Sequence, residues 1–256
     1  MNQETFQIFL WVMSAVALVV FIALYFVKAG YGMFRTASWG ISINNKLAWV
    51  LMEAPVFIVM FGLWGKSGAG FAVPVYFFFL LFQLHYLQRA FIFPVLLKGK
   101  SRMPVAIMAM GIVFNLLNGM MQAGGLFYFA PEGLYADGWA YLLKPHALLG
   151  IILFFAGMFV NLHSDYVIRH LRRPGDTKHY LPGKGLYRYV TSANYFGELV
   201  EWTGFAILTA SPAAWVFVWW TFANLVPRAD AIHRRYREEF GDEAVGKRKR
   251  IIPFLY

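Results

Sequence analysis

Long apolar runs recur along this chain, and they constrain its fold more than any other feature. A helix needs about 20 mostly apolar residues to cross a bilayer, and several runs approach or reach that length. With 59% hydrophobic and only 14% charged residues, the chain is typical of a polytopic membrane protein rather than a soluble globule. The first run follows a short polar stub and lacks a basic leader and a cleavage site, which indicates a retained helix.

Seven runs qualify as transmembrane helices, and lysine and arginine fall in alternate connections between them. Six basic residues lie between Arg169 and Arg188 and eight from Arg228 onward, whereas the connection 129–137 has none. An odd number of spans with this alternation places the N-terminus outside and the C-terminus in the cytoplasm. We therefore predict an all-α integral membrane protein, a bundle of seven transmembrane helices. The predicted spans are 7–28, 47–65, 71–97, 104–128, 138–162, 193–210 and 212–228.

The chain is predicted to form one membrane-embedded domain, 1–256, because its longest connection, 163–192, is too short to bury a core of its own. The net charge of +10 comes mostly from cytoplasmic connections, so it does not require a nucleic-acid partner. The chain has no cysteine, which excludes disulfides and thiolate chemistry. Its histidines show no HExxH pattern, and we predict no metal site. We expect a monomer surrounded by membrane lipids.

Ionisable residues at membrane depth are costly, and a functional role is therefore the default hypothesis for them. Glu53 lies within the apolar segment LMEAPVF, roughly 10 Å from the cytoplasmic edge of its span. In the third span, His85 and Tyr86 share a helix face with Arg89. Asn118 begins an i, i+4 pair with Gln122 that is predicted either to line a site or to join helices by hydrogen bonds.

Further polar residues cluster where later spans meet the cytoplasm. We expect most of them to converge, with Glu53 and Tyr86, on one cavity that opens to the cytoplasm. Glu201 is predicted to pair with Arg228 or Arg89, in a structural or a functional role. The cluster consists of Asn161, His163 and Asp165 from the fifth span, Asn194, Glu198 and Glu201 from the sixth, and Arg228 from the seventh.

The basic segment HSDYVIRHLRRPG follows the fifth span and carries Arg169, Arg172 and Arg173. The guanidinium group of arginine can donate two parallel hydrogen bonds to a phosphate, so these residues could bind the pyrophosphate and 2′-phosphate of NADPH. The positive-inside rule alone is an equal alternative for this segment. Neither GxGxxG nor GxSxG occurs, so a Rossmann domain and a serine hydrolase are not supported.

Several motifs together resemble the steroid 5α-reductase family. HSDYVIRHLRRPG, GLYRYVTSANYFGELVEWTGFA, PRADAIHRRYREEFG and KRKRIIPFLY are similar to its C-terminal half. AGYGMF, AWVLMEAPVF, LHYLQRAFIFPVLLKGK and NGMMQAGG stand in the order expected of its N-terminal half, so the resemblance covers nearly the whole chain. The combination of HYxxR with HSDYxxRxLRxPG is the specific part. We expect a bacterial homologue.

This resemblance implies an NADPH-dependent reduction of the C4–C5 double bond of 3-oxo-Δ4 steroids. It implies that Glu53 and Tyr86 hold the C3 carbonyl, and that Met52, Arg89 and Asn118 line the substrate pocket. The N-terminal half would mainly form that pocket, and the C-terminal half mainly the NADPH site. The implied cofactor-binding residues are Tyr31, Lys100, Asn161, Asp165, Arg169, Arg172, Asn194, Glu198, Arg228, His233 and Tyr236.

Met52 departs from the family pattern, because human-like members have glutamine immediately before the acidic residue. The resemblance therefore implies that a hydrogen bond orienting the carbonyl is either absent or supplied by another residue. The carboxylate, Glu53, is retained.

Three other functions are compatible with parts of the sequence. A membrane reductase of enoyl thioesters or other lipid enones would use the same carbonyl donors. A membrane methyltransferase of the isoprenylcysteine type needs S-adenosylmethionine and has no use for such a pair. A lipid-binding or transport protein would keep its function after Glu53→Gln. The host membrane is expected to be a bacterial inner membrane or the endoplasmic reticulum, with the active site open to the cytoplasm.

Overall fold

The fold is built almost entirely from helices. The structure is a computed structural model, and it describes residues 1–28, 30, 32–34, 36–172, 176 and 178–256. Tyr31, a predicted cofactor residue, and Arg173 of the basic segment after the fifth span lie outside them. The α-helices are α1 Gln3–Phe26, α2 Asn45–Lys66, α3 Val75–Leu87, α4 Phe93–Leu96, α5 Val105–Ala123, α6 Trp139–Leu142, α7 Pro145–Arg169, α8 Ala193–Thr209, α9 Pro212–Phe240 and α10 Asp242–Val245.

Short irregular segments complete these helices. A π-helical turn, Gln88–Ile92, joins α3 to α4, and a second one, Gly124–Tyr128, extends α5. Strands β1 (Ser42–Asn44) and β2 (Arg102–Pro104) form an antiparallel pair. The described 3₁₀ turns are Gly32–Phe34, Ala37–Trp39 and Gly185–Arg188.

Five helical segments of the described chain are long and apolar enough to cross a membrane. They overlap the first five predicted spans, and the presence of these five spans is confirmed, although the fifth lies seven residues later in the chain than predicted. Helices also form at the last two predicted spans, where α8 has 17 residues and α9 has 29 with a charged second half. The count of seven spans and the orientation of the termini stay predictions. The five segments are Gln3–Phe26, Asn45–Lys66, Val75–Leu96, Val105–Tyr128 and Pro145–Arg169.

The described chain divides into two compact units, each assembled from separate stretches of sequence. The first unit comprises Met1–Met13, Ala29–Leu149 and Ala206–Phe217. The second comprises Ser14–Lys28, Gly150–Phe205 and Val218–Tyr256. That the whole chain acts as a single domain stays a prediction.

The β1–β2 pair aligns the helices of the first unit. Pairing of Asn44 with Arg102 brings the beginnings of α2 and α5 together, and the Asn44 side chain caps α2 by accepting from Lys46 N at 2.9 Å. Lys46 Nζ also donates to Val95 O at 3.4 Å, so the end of α4 lies at the same end of the unit. Consequently α3 runs antiparallel to both α2 and α5.

Glycines let α7 and α8 of the second unit approach backbone to backbone. A Cβ built on Gly157 would lie 2.2 Å from Glu201 N, and one built on Gly197 would lie 2.4 Å from Asn161 N. A Cβ on Gly204 would lie 2.4 Å from Phe154 N. Only residues without a side chain allow such close helix packing, and these contacts fix the register between the two helices.

The last residues of the chain are held against the segment that leads into α8. Lys249 N donates to Tyr189 O at 2.8 Å, and Ser192 N donates to Arg250 O at 3.1 Å. The Arg250 guanidinium contacts Asp230 of α9 at 2.5 Å and anchors this segment on the other side.

Candidate active site

Two amides on one face of α5 hold Glu53 of α2 and Tyr86 of α3. Asn115 Nδ2 donates to Met52 O at 2.8 Å and to Glu53 Oε2 at 3.1 Å. Asn118 Nδ2 donates to Tyr86 Oη at 3.0 Å. Residues three apart are neighbours on a helix surface, so the carboxyl and the phenol are attached to adjacent turns of α5. The structure thus brings together the two residues predicted to bind a carbonyl.

Aromatic rings and buried amides surround this pair. Tyr86 is 3% exposed and packs between the rings of Phe82 and His85, with centroids 4.8 and 5.0 Å away. Glu53 is half-buried. Hydroxyl donors that the protein holds in a fixed position stabilise negative charge on an oxygen far better than mobile bulk water does. The arrangement can therefore polarise a carbonyl.

Asn115 was not predicted as a site residue, yet it is 4% exposed and contacts Glu53 directly. Its position three residues before Asn118 was the available signal. The main-chain oxygen of Met52 accepts a hydrogen bond from Asn115, and the side chain of Met52 occupies the space beside Gly111. Asn115 thus donates a hydrogen bond to the Glu53 carboxyl. Whether a hydrogen bond that orients the substrate carbonyl is absent or supplied by another residue stays a prediction.

Arg89 lies in the π-helical turn that follows Tyr86. Its guanidinium is placed over the rings of Trp49 and Phe93, at 4.7 and 4.8 Å from their centroids. Such stacking is a favourable cation–π arrangement. A role for Arg89 in the substrate pocket stays a prediction.

A hydrogen-bond network in the second unit joins three predicted cofactor residues. Asn161 Nδ2 donates to Asn194 O at 3.0 Å, and Asn194 Nδ2 donates to Asp165 Oδ1 at 3.2 Å. Tyr187 Oη donates to Asn194 Oδ1 at 3.3 Å. Burial, together with the nearby Asp165 charge, raises the pKa of Tyr187, which therefore keeps its proton as a donor. Tyr187 was not predicted, because its contact with α8 is not visible in a local pattern.

Two of the three predicted residues of α9 contact the beginning of α8 or the segment before it. Arg228 Nε donates to Tyr195 Oη at 2.8 Å. His233 Nδ1 lies 3.3 Å from Thr191 Oγ1, and burial with the nearby Arg250 lowers the pKa of His233 and favours its neutral form. Burial raises the pKa of Tyr236 to about 12, so this phenol is also protonated at neutral pH.

The remaining predicted residues show different degrees of exposure. Arg169 ends α7, and its Nη1 atom is buried without a hydrogen-bond partner among the described residues. Arg172 is exposed in the connection that follows. Glu198 is half-buried one turn after Asn194 in α8. Lys100 is exposed in the first unit, two residues before β2 begins.

Comparison with known proteins identifies the family. The model of the family described as 3-oxo-5-alpha-steroid 4-dehydrogenase matches residues 101–256. The chain is 36% identical over 247 residues to 3-oxo-5-alpha-steroid 4-dehydrogenase 1 of Bos taurus, covering 94% of this chain and 93% of the relative. It is 36% identical over 260 residues to Steroid 5-alpha-reductase DET2 of Gossypium hirsutum, covering 100% of this chain and 99% of that protein. The resemblance found in the sequence is thereby confirmed, and the chain belongs to the 3-oxo-5-alpha-steroid 4-dehydrogenase family.

Proposed function

We propose that this chain reduces the C4–C5 double bond of 3-oxo-Δ4 steroids to 5α-steroids with NADPH. Its family makes it an oxidoreductase acting on CH–CH groups, and a methyltransferase or a non-catalytic lipid carrier no longer fits. The observation that carries the proposal is the attachment of Glu53 and Tyr86 to adjacent turns of α5 through Asn115 and Asn118.

Glu53 and Tyr86 act on the C3 oxygen of the steroid. Reduction at C5 transfers negative charge to that oxygen, and O–H donors aimed at it stabilise the charge. A phenol that accepts from Asn118 can donate its own proton to a carbonyl, and a carboxyl group can do so in its protonated form. Met52, Arg89 and Asn118 complete the pocket around the steroid.

The second unit has the donors that a dinucleotide phosphate requires. The Nη1 atoms of Arg169 and Arg248 are buried and have no hydrogen-bond partner among the described residues. A phosphate oxygen would give each of them an acceptor. The linked side chains of Asn161, Asn194 and Asp165 offer amide and carboxylate groups of the kind that bind ribose hydroxyls or a carboxamide. When bound, NADPH would supply the hydride that adds to C5.

The residues that would hold NADPH come mainly from the second unit. Glu198 would accept from ribose or amide donors or orient an arginine, because a glutamate does not face phosphate favourably. The proposed set is Lys100, Asn161, Asp165, Arg169, Arg172, Asn194, Glu198, Arg228, His233 and Tyr236, with Tyr31 from outside the described residues.

We further propose that α8 and the part of α9 up to Arg228 are the sixth and seventh membrane spans, and that the C-terminus is cytoplasmic. The exposed Lys98, Lys100 and Arg102, together with Lys46, lie where β1–β2 joins the ends of α2, α4 and α5, which supports a cytoplasmic location for that end. The protein would act as a single monomeric domain in a bacterial inner membrane or in the endoplasmic reticulum.

A substrate panel tests the proposed reaction. Purified protein in nanodiscs is mixed with NADPH and either testosterone, progesterone or a trans-2-enoyl thioester, and the products are identified by mass spectrometry and NMR. We expect NADPH oxidation to match the formation of 5α-reduced steroids. Reduction of the enoyl thioester without reduction of either steroid would favour the lipid-enone alternative and overturn the proposal.

Arg169→Met should weaken NADPH binding about tenfold or more, since a hydrogen bond to a charged group contributes about 1.5–3 kcal/mol. The affinity is measured by quenching of tryptophan fluorescence during titration with NADPH. Arg188→Met is the control, because Arg188 is exposed in the same unit and the substitution removes the same charge. Equal affinities of the two variants would rule out phosphate binding by Arg169.

A further inference from the structure

Five buried polar atoms of the first unit have no hydrogen-bond partner among the described residues. Each belongs to a side chain that is at most 7% exposed. Buried polar groups in proteins are nearly always hydrogen-bonded, so five such atoms in one unit require an explanation. The atoms are Gln83 Oε1, Asn115 Oδ1, Asn118 Oδ1, Gln122 Oε1 and Ser211 Oγ, and we call these residues the acceptor file.

The contacts of three of the four amides determine which of their atoms is left over. Asn115 Nδ2 lies 2.8 Å from Met52 O, and Gln83 Nε2 lies 3.2 Å from Phe57 O. Gln122 Nε2 lies 3.0 Å from Ala213 O. A main-chain carbonyl can only accept, so the nitrogen of each amide must face it. The amide oxygens therefore face other surroundings, and they need hydrogen-bond donors.

The file follows a line through the first unit. Asn115, Asn118 and Gln122 are spaced i, i+3 and i+7 on α5, and they form one helix face about 10 Å long. Gln83 lies one turn before Tyr86 in α3, and α3 runs antiparallel to α5. Gln83 is therefore displaced from the Tyr86–Asn118 hydrogen bond in the same direction as Gln122. The line thus begins at the carboxyl of Glu53 and leads away from β1–β2.

Ser211 extends the line toward the connection between α8 and α9. A Cβ built on Gly125 would lie 2.7 Å from Ser211 Oγ, and Gly125 is the residue almost one turn beyond Gln122 on the extended α5. The buried hydroxyl of Ser211 therefore lies at the end of the file remote from Glu53. Together the five residues lead from the catalytic pair to the end of the unit opposite β1–β2.

The spacing of the file identifies its ligand. One substrate hydroxyl could satisfy only one or two neighbouring oxygens, whereas these acceptors are distributed over about 10 Å of α5 and beyond. Several small molecules with two O–H donors each are required. Water has this chemistry, and buried water molecules typically bind polar groups that lack partners in the protein.

We propose that the acceptor file holds a row of ordered water molecules that supplies the proton consumed in steroid reduction. This inference rests on the proposed function. Each turnover adds one hydride at C5 and one proton at C4. The Glu53–Tyr86 pair protonates the C3 oxygen, and the enol so formed becomes the ketone by losing the proton on oxygen and gaining one at C4. The row replaces the proton given up by the Glu53–Tyr86 pair: each water accepts one proton and releases one, so that one proton from bulk water enters per turnover and no water is consumed.

Radiolytic labelling in ¹⁸O water tests the row of waters without relying on turnover. A tyrosine beside ordered water is oxidised in place, although its side chain is buried. We expect Tyr86 to be labelled at least fivefold faster than Tyr141, which is 1% exposed and donates to Leu208 O at 3.0 Å. In a Gln83→Met, Gln122→Met double variant, the labelling of Tyr86 should fall to the level of Tyr141. Equal labelling of both tyrosines in the unchanged protein would overturn the proposal.

Turnover provides the second test. Gln122→Met keeps the side-chain volume and removes the oxygen, and we expect kcat to fall about tenfold with an increased solvent deuterium isotope effect and an unchanged KM for the steroid. Met121→Leu on the same helix is the packing control, and a merely structural role of Gln122 would leave the isotope effect unaltered.

A loss confined to steroids with a 17-hydroxyl would show that the oxygens bind substrate, and it would overturn the row of waters. Failure of unchanged protein to reduce any steroid would contradict the proposed function instead, and labelling of Tyr86 would still decide whether water is bound.

Discussion

Glu53→Gln should lower the rate of 5α-reduction about 10²–10³-fold, the usual effect of removing one donor from an oxyanion site. The substitution preserves the shape of the side chain, and the new amide oxygen can still accept from Asn115 Nδ2, so the local structure is retained. The amide N–H is a weaker donor than a carboxylic acid and cannot release a proton. The loss therefore measures the acidic group rather than packing.

Tyr86→Phe is the companion variant and should cause a loss of similar size. The phenyl ring keeps its contacts with Phe82 and His85, while the hydroxyl that accepts from Asn118 is removed. Single-turnover oxidation of NADPH in the presence of testosterone gives the rate, and fluorescence titration gives the NADPH affinity. The affinity should not change, because the residues proposed to hold NADPH are elsewhere in the chain.

Two lipid-facing substitutions serve as matched controls for this pair. Leu51 and Leu84 stand two residues before Glu53 and Tyr86 in the same helices, and they are 42% and 40% exposed. Leu51→Ala and Leu84→Ala should keep most of the activity. A Glu53→Gln or Tyr86→Phe rate within threefold of the unchanged protein would remove that residue from the proposed mechanism.

The helices of the first unit could be predicted because an apolar run long enough to span a bilayer is a local signal. Glu53 and Tyr86 could be selected as candidates in the same way, since polar groups within such runs are conspicuous, and their role stays a prediction. The boundaries were less accurate. The last predicted span ends at 228, whereas α9 continues to Phe240. Its charged second half has favourable i, i+4 ion pairs, such as Arg234 with Asp230 and Arg235 with Glu239, and these support a helix without an apolar pattern.

Contacts between distant segments could not be predicted in the same way. Asn115 resembles any other polar residue of an amphipathic helix until the fold places it beside Glu53, 62 residues away in the sequence. Similarly, the pairing of Lys249 with Tyr189 depends on the Arg250–Asp230 contact and on the packing of α9. Neither involves a local periodicity. Whether the predicted polar residues of both units form one cavity stays a prediction.

Gly157→Ala and Gly197→Ala should each destabilise the protein strongly. The added methyl groups would lie 2.2 and 2.4 Å from the main-chain nitrogens of Glu201 and Asn161. A rigid backbone cannot move aside as a flexible side chain can, so α7 and α8 must separate. Overpacking of this kind costs about 1–3 kcal/mol and occasionally more, which corresponds to a decrease in Tm of roughly 2–12 °C.

Gly62→Ala and Gly65→Ala are the appropriate controls, because a Cβ at either position of α2 meets no atom within 4 Å. Replacing a helical glycine at an unobstructed site should be neutral or stabilise the fold by up to about 1 kcal/mol. Thermal unfolding of the detergent-solubilised protein, followed by size-exclusion chromatography, compares the four variants. Similar melting temperatures for all of them would show that α7 and α8 are not in backbone contact.

The Gly197 variant also connects helix packing to cofactor binding. Gly197 lies against the main chain of Asn161, whose side chain donates to Asn194 O in the network that includes Asp165. A shift of α8 by even a few tenths of an ångström would weaken these hydrogen bonds, whose strength depends on short distances and good angles. The folded fraction of Gly197→Ala should therefore bind NADPH more weakly than the folded fraction of Gly204→Ala, because Gly204 lies about two helical turns further from that network. Equal affinities of the two folded fractions would mean that the glycine contacts stabilise the helix pair without positioning the proposed cofactor residues.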